Sequence, residues 1–405
     1  MPACLSSPVS RIAAYRVRGG QVAPERCSGL LAHLSALPDP RDRRGVRHRL
    51  AGVLAVAVCA VLSGAKSLAA IGEWAADAPP EVLVALGIRA QPLTGWVRPP
   101  DEATVRRVLA TIDADALDTA VGAWLQELHP PPPPPALEPP TPREPWRAVA
   151  VDGKTLRGSG PAGGQVHLLA VMDHASRAVL GQVDVAGKTN EISRFQPLLD
   201  RLDLRRTVVT ADAMHTQRDH VDYLVTTKHA AYICIVKRNQ PHLYRRLKSL
   251  PWRDVPVGDH TRDRGHGREE IRRVQVVTVA GLPFPHAAQA IRITRRARPL
   301  TGGKWRSVTV YAITSLTAYQ ASPAHLADYI RGHWDIEALH HIRDTTFAED
   351  ASQVRTRNAP RTMASLRNLA IGILRHHGTT NIAQALRHNA RDAYRPLTAL
   401  GITTP

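Results

Sequence analysis

Residues Arg147 to Ser159 read RAVAVDGKTLRGS, and the reading of this stretch decides the fold. Ala148 to Val151 is a run of small and β-branched residues with the character of a buried strand, and Asp152 closes it ahead of Gly153 and Lys154. A carboxylate there is held rigidly at a sheet edge, the position a metal-binding acid needs. Taken alone, an Asp before Gly is more often a turn residue. A second copy of the arrangement lies at Thr207 to Gln217, TVVTADAMHTQ, where Asp212 closes an apolar run ahead of a helix-like segment. The same residue could equally serve as a helix N-cap. Two strand-end aspartates are thus available to one site.

The best candidate for a third acid is Glu337, in the segment from Tyr329 to Asp350, YIRGHWDIEALHHIRDTTFAED, although a helix glutamate alone is more often simply exposed or ion-paired. Ser322 is the expected N-cap and Pro323 the first helical residue. Tyr329, His333, Glu337 and His341 recur every four residues, which predicts one shared helical face. Glu349 and Asp350 are the reserve candidates for the third acid.

On VDGKTLRG, TADAMHTQ and HWDIEALHHIRD the chain resembles the Asp-Asp-Glu transposases of bacterial insertion sequences, whose catalytic core is RNase H-like. The resemblance reaches back to LPDPRDRRGVRHRLAGVLAVAVCAVLSGAKSLAAIGEWA and so covers nearly the whole chain. It implies that Asp152, Asp212 and Glu337 are catalytic and together bind two Mg²⁺ ions, with Mn²⁺ as a substitute. It further implies a β-rich insertion between the second and third acids, and double-stranded DNA, at element ends and target, as the partner. Many of these enzymes carry a basic DNA contact two turns after the glutamate. Asp344 stands near that place here, so His340, His341 or Arg343 would take the contact. The candidate DNA-contacting set is Lys154, Arg157, His215, Arg268, Arg272, Arg273, Tyr329, Arg331, His333, Trp334, His340 and His341. A homodimer on DNA, in the bacterial cytoplasm and associated with the nucleoid, is expected.

A rival reading takes His333, Glu337 and His341 as zinc ligands on one helix face, but the HExxH spacing is absent and no cysteine pair lies nearby. A structure-specific nuclease or resolvase would use the same acids without strand transfer. A non-catalytic DNA-binding regulator would need the basic surfaces and not the acids.

Composition agrees with a nucleic-acid partner. Lys plus Arg number 53 against 35 Asp plus Glu, a formal net charge of +18 spread through every region of the 405 residues. No GxxxxGK[ST] loop occurs, and no nucleotide cofactor is expected. Cys4, Cys27, Cys59 and Cys234 are scattered and form no CxxC, which fits a reducing compartment. The apolar run Leu50 to Leu62 is too short to span a bilayer and reads as a buried helix, so no membrane association is expected.

The expected fold is α/β, an RNase H-like mixed sheet core with a β-rich insertion, preceded by a small helical N-terminal domain. Residues 1–128 would be that helical, DNA-binding domain, with Arg41, Arg43, Arg44, Arg47 and Arg49 as its basic cluster. Residues 129–145 hold the proline run Pro130 to Pro135 and would be a stiff linker. Residues 146–376 would be the catalytic domain and 377–405 a helical tail. The insertion, at about residues 250–316, carries Arg262, Arg264, Arg268, Arg272, Arg273, Arg295, Arg296 and Arg298. Strands are expected at Val149 to Asp152, Val166 to Met172, Ala178 to Val185, Val208 to Asp212 and Ala231 to Val236. In the insertion they are expected at Ile271 to Val279, Ala290 to Thr294 and Val308 to Thr314. The glycines at Gly158, Gly160, Gly163 and Gly164 read as a mobile loop.

Overall fold

The computed structural model describes residues 29–44, 46–130, 144–161, 164–185, 190–265 and 267–403. Most of the expected linker, and Gly163 of the glycine-rich loop, lie outside the described residues. The described residues form two compact units: His129–Ile342 is one, and the residues up to Leu128 together with those from Arg343 onward are the other.

The His129–Ile342 unit is built on one mixed sheet of nine strands, in the order β3-β2-β1-β4-β5-β9-β8-β7-β6. The strands are β1 (Arg147–Leu156), β2 (Val166–Asp173), β3 (Val179–Asp184), β4 (Thr207–Ala211), β5 (Ala231–Val236), β6 (Asp259–Gly265), β7 (Arg268–Thr278), β8 (Gln289–Pro299) and β9 (Arg306–Thr314). β1 to β3 form an antiparallel meander, while β4 and β5 run parallel to β1, the order of an RNase H-like core. Every residue of β4 is buried, which is why it reads as an unbroken TVVTA rather than an alternation. The β-rich insertion does not stand apart from this core. Its last strand, β9, pairs antiparallel with β5 from Ile233↔Thr314 to Val236↔Tyr311, so the insertion prolongs the core sheet.

Three local readings differ from the sequence expectation. β1 does not stop at Asp152, because residues as far as Leu156 keep their pairing with β2 after the pairing with β4 has ended. β6 went unread because DHTRDRG has no apolar alternation; its pairing with β7 makes it a strand. The helix capped by Ser322 Oγ ends at Gly332, and a second helix runs from Trp334 to Thr345. Gly332 packs so closely on His174 that a Cβ there would strike the imidazole. The expected four-residue face from Tyr329 to His341 is therefore broken in the middle.

In the helical unit, Leu50–Leu62 is the central helix, with every residue but Ala51 buried. Helices Gly29–Ser35, Leu68–Asp77, Glu102–Thr111 and Ala359–His376 pack against it. Ser67 and Asp101 cap two of them, accepting from Ala70 N at 3.2 Å and Thr104 N at 2.7 Å. The helix Ala359–His376 buries all but its last two residues, and its partners lie in this unit. By packing contacts the division falls at Ile342. Among the described residues no helix is long and apolar enough to cross a membrane.

Candidate active site

β1 and β4 pair in parallel up to Val151↔Ala211, so Asp152 and Asp212 occupy equivalent places one residue beyond the last pair. Parallel neighbours put both carboxylates at the same sheet edge. Glu337 comes to them from the first turn of the Trp334–Thr345 helix. All three line a cavity of about 330 Å³, together with Lys237, Arg272, Arg295, Arg331, His333 and Trp334 among others. Its remaining wall is largely apolar, with Ile235, Val274, Ile293, Val308, Val310 and Ile330.

The acids feel one another. Burial pushes the Asp152 carboxyl up to about 6, and the charges of Glu191, Glu337 and Asp212 add to that push. Glu337 is raised by burial and then by Asp212. Asp212 goes the other way: burial would raise it, but Lys237 and a backbone N–H outweigh that. Lys237 Nζ donates to Asp212 Oδ1 at 2.9 Å and the Ala213 N–H donates to the same oxygen at 2.6 Å. Asp212 is thus both a site acid and the cap of the short 3₁₀ turn Ala213–His215.

Behind Asp152 lies a cluster that sequence reasoning missed. Glu191, at the start of the Glu191–Leu199 helix, sits 2.7 Å from His167 Nε2 and 3.2 Å from His215 Nε2. Burial opposes its ionisation, yet hydrogen bonds from the two imidazoles hold it down at about 2. The Glu191 carboxylate occupies the space a side chain on Gly153 would take. Gly153→Ala should therefore displace the neighbouring Asp152, and on the DNA-cutting chemistry that the resemblance implies it should cut cleavage by about 100-fold, the scale of an ångström-sized misplacement, with DNA affinity retained. Unchanged single-turnover cleavage by this variant would show that the cluster does not set the position of Asp152. Glu191 and His167 carry no local signal, being joined only through the sheet. Lys237 was findable, since it follows β5 at the sheet edge that holds both aspartates.

The expected DNA-contacting residues fall into three groups: some are at the cavity, some are exposed elsewhere and some are buried, His333 being both cavity-lining and hydrogen-bonded inward. Arg272, Arg331, His333 and Trp334 line the cavity with the acids, and His340 Nδ1 lies 3.6 Å from Asp152 Oδ2. Trp334 is half exposed, with the Arg295 guanidinium 5.9 Å from its ring centre. Arg157, Arg268, Arg273 and His341 are exposed. The others turn inward. His215 is 1% exposed and bound to Glu191, and Lys154 is buried. Tyr329 is buried, its hydroxyl accepting from Trp146 N at 2.7 Å and donating to Trp146 O at 3.1 Å, so it ties the helix to β1. His333 is neutral, held at about 4 by burial, with Nδ1 3.1 Å from Thr210 Oγ1. Among the described residues no group of three or more acids, imidazoles or thiols, His333, Glu337 and His341 included, is already drawn together around an ion position.

The basic insertion is more neutralised than its composition suggests. Glu270 pairs with Arg272 at 2.6 Å, Arg295 at 2.6 Å and Arg268 at 3.6 Å. Glu269 pairs with Arg298 at 2.6 Å and with Arg262 and Arg264. Arg343, expected as one possible contact after Glu337, is 1% exposed and bonded to Glu349, which excludes both from a DNA-facing role. Glu349 is accordingly no reserve for the third acid.

A mixed sheet of this order, with one acid where the β1–β4 pairing stops, a second just past β4 and a third on a later helix, is the arrangement of an RNase H-like domain. The chain belongs to the family described as transposase DDE domain, whose model matches residues 145–373, and residues 31–125 match the model described as DDE_Tnp_1-associated. A protein of Escherichia coli O157:H7 named "Putative transposase YncI" is 31% identical over 85% of this chain and 87% of its own length. The "H repeat-associated putative transposase YhhI" of Escherichia coli strain K12 is 27% identical over 85% of this chain and 90% of its own.

Proposed function

We propose that this transposase-family chain is a divalent-cation-dependent DNA transferase that cuts a phosphodiester at the end of its own insertion element and joins the freed 3′-hydroxyl to target DNA. The observation that carries the proposal is the convergence of Asp152, Asp212 and Glu337 on one cavity walled in part by arginine. Carboxylate oxygens are the donors that Mg²⁺ and Mn²⁺ prefer, and Asp152 and Glu337, raised by burial and by neighbouring carboxylates, are groups a cation would relieve. The donor set therefore fits, with Asp152, Asp212 and Glu337 as the ligands. When bound, the ions would make the attacking water or hydroxyl more acidic and stabilise the leaving oxygen.

The chain's own groups do the rest. Lys237, which holds Asp212 Oδ1 on the wall of the same cavity, would meet the phosphate as a point charge. Arg272, Arg295 and Arg331 hold the DNA backbone, bidentate where their geometry allows. His333, neutral, anchors the start of the Glu337 helix to Thr210 on β4. A homodimer on DNA is part of the proposal, since two element ends must be joined. So is residence in the cytoplasm, which suits the free buried thiols of Cys59 and Cys234.

The test is incubation of purified protein with element-end duplex and a supercoiled target. Mg²⁺ or Mn²⁺ should support cleavage and joining, whereas Ca²⁺ should support binding with little cleavage, because the larger ion tolerates looser geometry. Cleavage that persists in excess chelator would sink the metal-dependent reading. Cleavage without joined product would favour a nuclease.

A further inference from the structure

In the helical unit, residues between Ile88 and Pro100 form a small hairpin. Ile88, 2% exposed, anchors its first arm and buried Pro100 follows its second. Between them Ala90 bridges Val97, Gln91 N donates to Trp96 O at 2.9 Å, Gly95 N donates to Gln91 O at 2.9 Å, and Thr94 Oγ1 donates to Gln91 Oε1 at 3.0 Å. The tip is thus built, and what it presents is apolar: Leu93 is 99% exposed and Trp96 70% exposed. Two large apolar side chains exposed on one ordered tip are a candidate contact surface.

Charge identifies that partner. Arg89 and Arg98, both exposed, flank the tip. Arg98 also stands near the basic cluster singled out in the sequence: burial first, and then the charges of Arg47, Arg41 and Arg98, hold the His48 imidazole below its ordinary value. Arg43, Arg44 and Arg47 are exposed there. Asp101, in the same neighbourhood, is engaged in capping the next helix. Two side chains at a tip cover far less than the roughly 800 Å² per partner of a stable protein interface. An apolar wedge between arginines is instead the arrangement that enters a minor groove, unstacks a base step and bends the duplex.

We propose that the Arg89–Arg98 hairpin is a DNA-bending wing, with Leu93 and Trp96 inserted into the minor groove and Arg89, Arg98 and the Arg43–Arg47 cluster on the flanking phosphates. The proposal rests on duplex DNA being the substrate. Full-length protein is titrated onto a mixed-sequence duplex carrying 2-aminopurine and an end-to-end FRET pair, over a range of salt. Wild type should raise the 2-aminopurine signal and shorten the end-to-end distance. Leu93→Ser with Trp96→Ala should abolish both signals and weaken binding by about tenfold, the scale of a lost stacking contact. Arg89→Ala with Arg98→Ala should flatten the slope of log affinity against log salt by about two units if both touch phosphate. Because all four positions are exposed, circular dichroism should show unchanged folds. Wild-type binding matched by both double variants in signal and slope would overturn the wing and leave the transferase reading standing. Failure of wild type to bind duplex at any salt would overturn both. Variants that bind DNA normally but lose self-association in sedimentation would make the tip a contact between copies, and that too overturns the wing.

Discussion

Asp152→Asn, Asp212→Asn and Glu337→Gln, each in the full-length protein, should lower Mg²⁺-dependent cleavage by at least about 10³-fold, the effect of losing roughly 4 kcal/mol of transition-state stabilisation. Each replacement keeps the shape of the side chain and removes one anionic cation ligand, so duplex affinity without metal should stay within a few-fold of wild type or rise slightly. The rise is expected because the three acids share a cavity with Arg272, Arg295 and Arg331, and each carboxylate repels incoming phosphate. The three variants should not be equal in their effect on the apo protein. Asp212 pairs with Lys237, so Asp212→Asn frees an ammonium, and it should increase metal-free DNA affinity most. Measured single-turnover cleavage within tenfold of wild type for any one of them would remove that residue from the site. Equal gains in apo affinity for all three would argue that Lys237 is not restrained by Asp212.

What was legible in the chain follows from how local each signal is. Asp152 and Asp212 could be found because each ends an apolar run that becomes a buried parallel strand, and parallel pairing puts strand ends side by side. Glu337 could be found only through the resemblance, since a helix glutamate has no signature of its own. The break at Gly332 was misread because one glycine in a helical pattern is usually tolerated, and the imidazole of His174 that demands it comes from the β2–β3 turn. β6 was invisible because a strand prolonging a sheet into solvent need bury neither face. Tyr329 and His215 were placed on the DNA side from spacing and motif, whereas their partners, Trp146 and Glu191, are distant in sequence. Composition overstated the basic surface for the same reason, since Glu269 and Glu270 each tie down arginines from neighbouring strands.

Glu349→Gln should be the most destabilising single substitution of an acid in the helical unit, at about 3 to 5 kcal/mol, because it leaves two buried guanidinium groups uncompensated. Glu349, Arg343 and Arg367 are each 1% exposed. Arg343 Nε donates to Glu349 Oε2 at 2.8 Å, and Arg367 Nη1 donates to Oε1 at 2.8 Å. Burial works against the carboxylate, but the two arginines hold its pKa below the ordinary value of 4.5. A depressed folded-state pKa stabilises the fold above the unfolded value and ceases to do so as pH falls through the folded one. The helical unit should therefore lose stability on acidification below about pH 4.5. The glutamine variant should lose most of that pH dependence while being less stable at neutral pH. Replacing all three residues, as Arg343→Met, Glu349→Leu and Arg367→Met, removes the charges together and should restore most of the lost stability, since an apolar set of similar volume avoids the desolvation cost. Urea unfolding of the four proteins at pH 7 and pH 4 measures this directly. A Glu349→Gln loss below about 1 kcal/mol would mean that water reaches the guanidinium groups. A triple variant no more stable than Glu349→Gln would mean that the ion cluster contributes packing that the apolar side chains cannot supply.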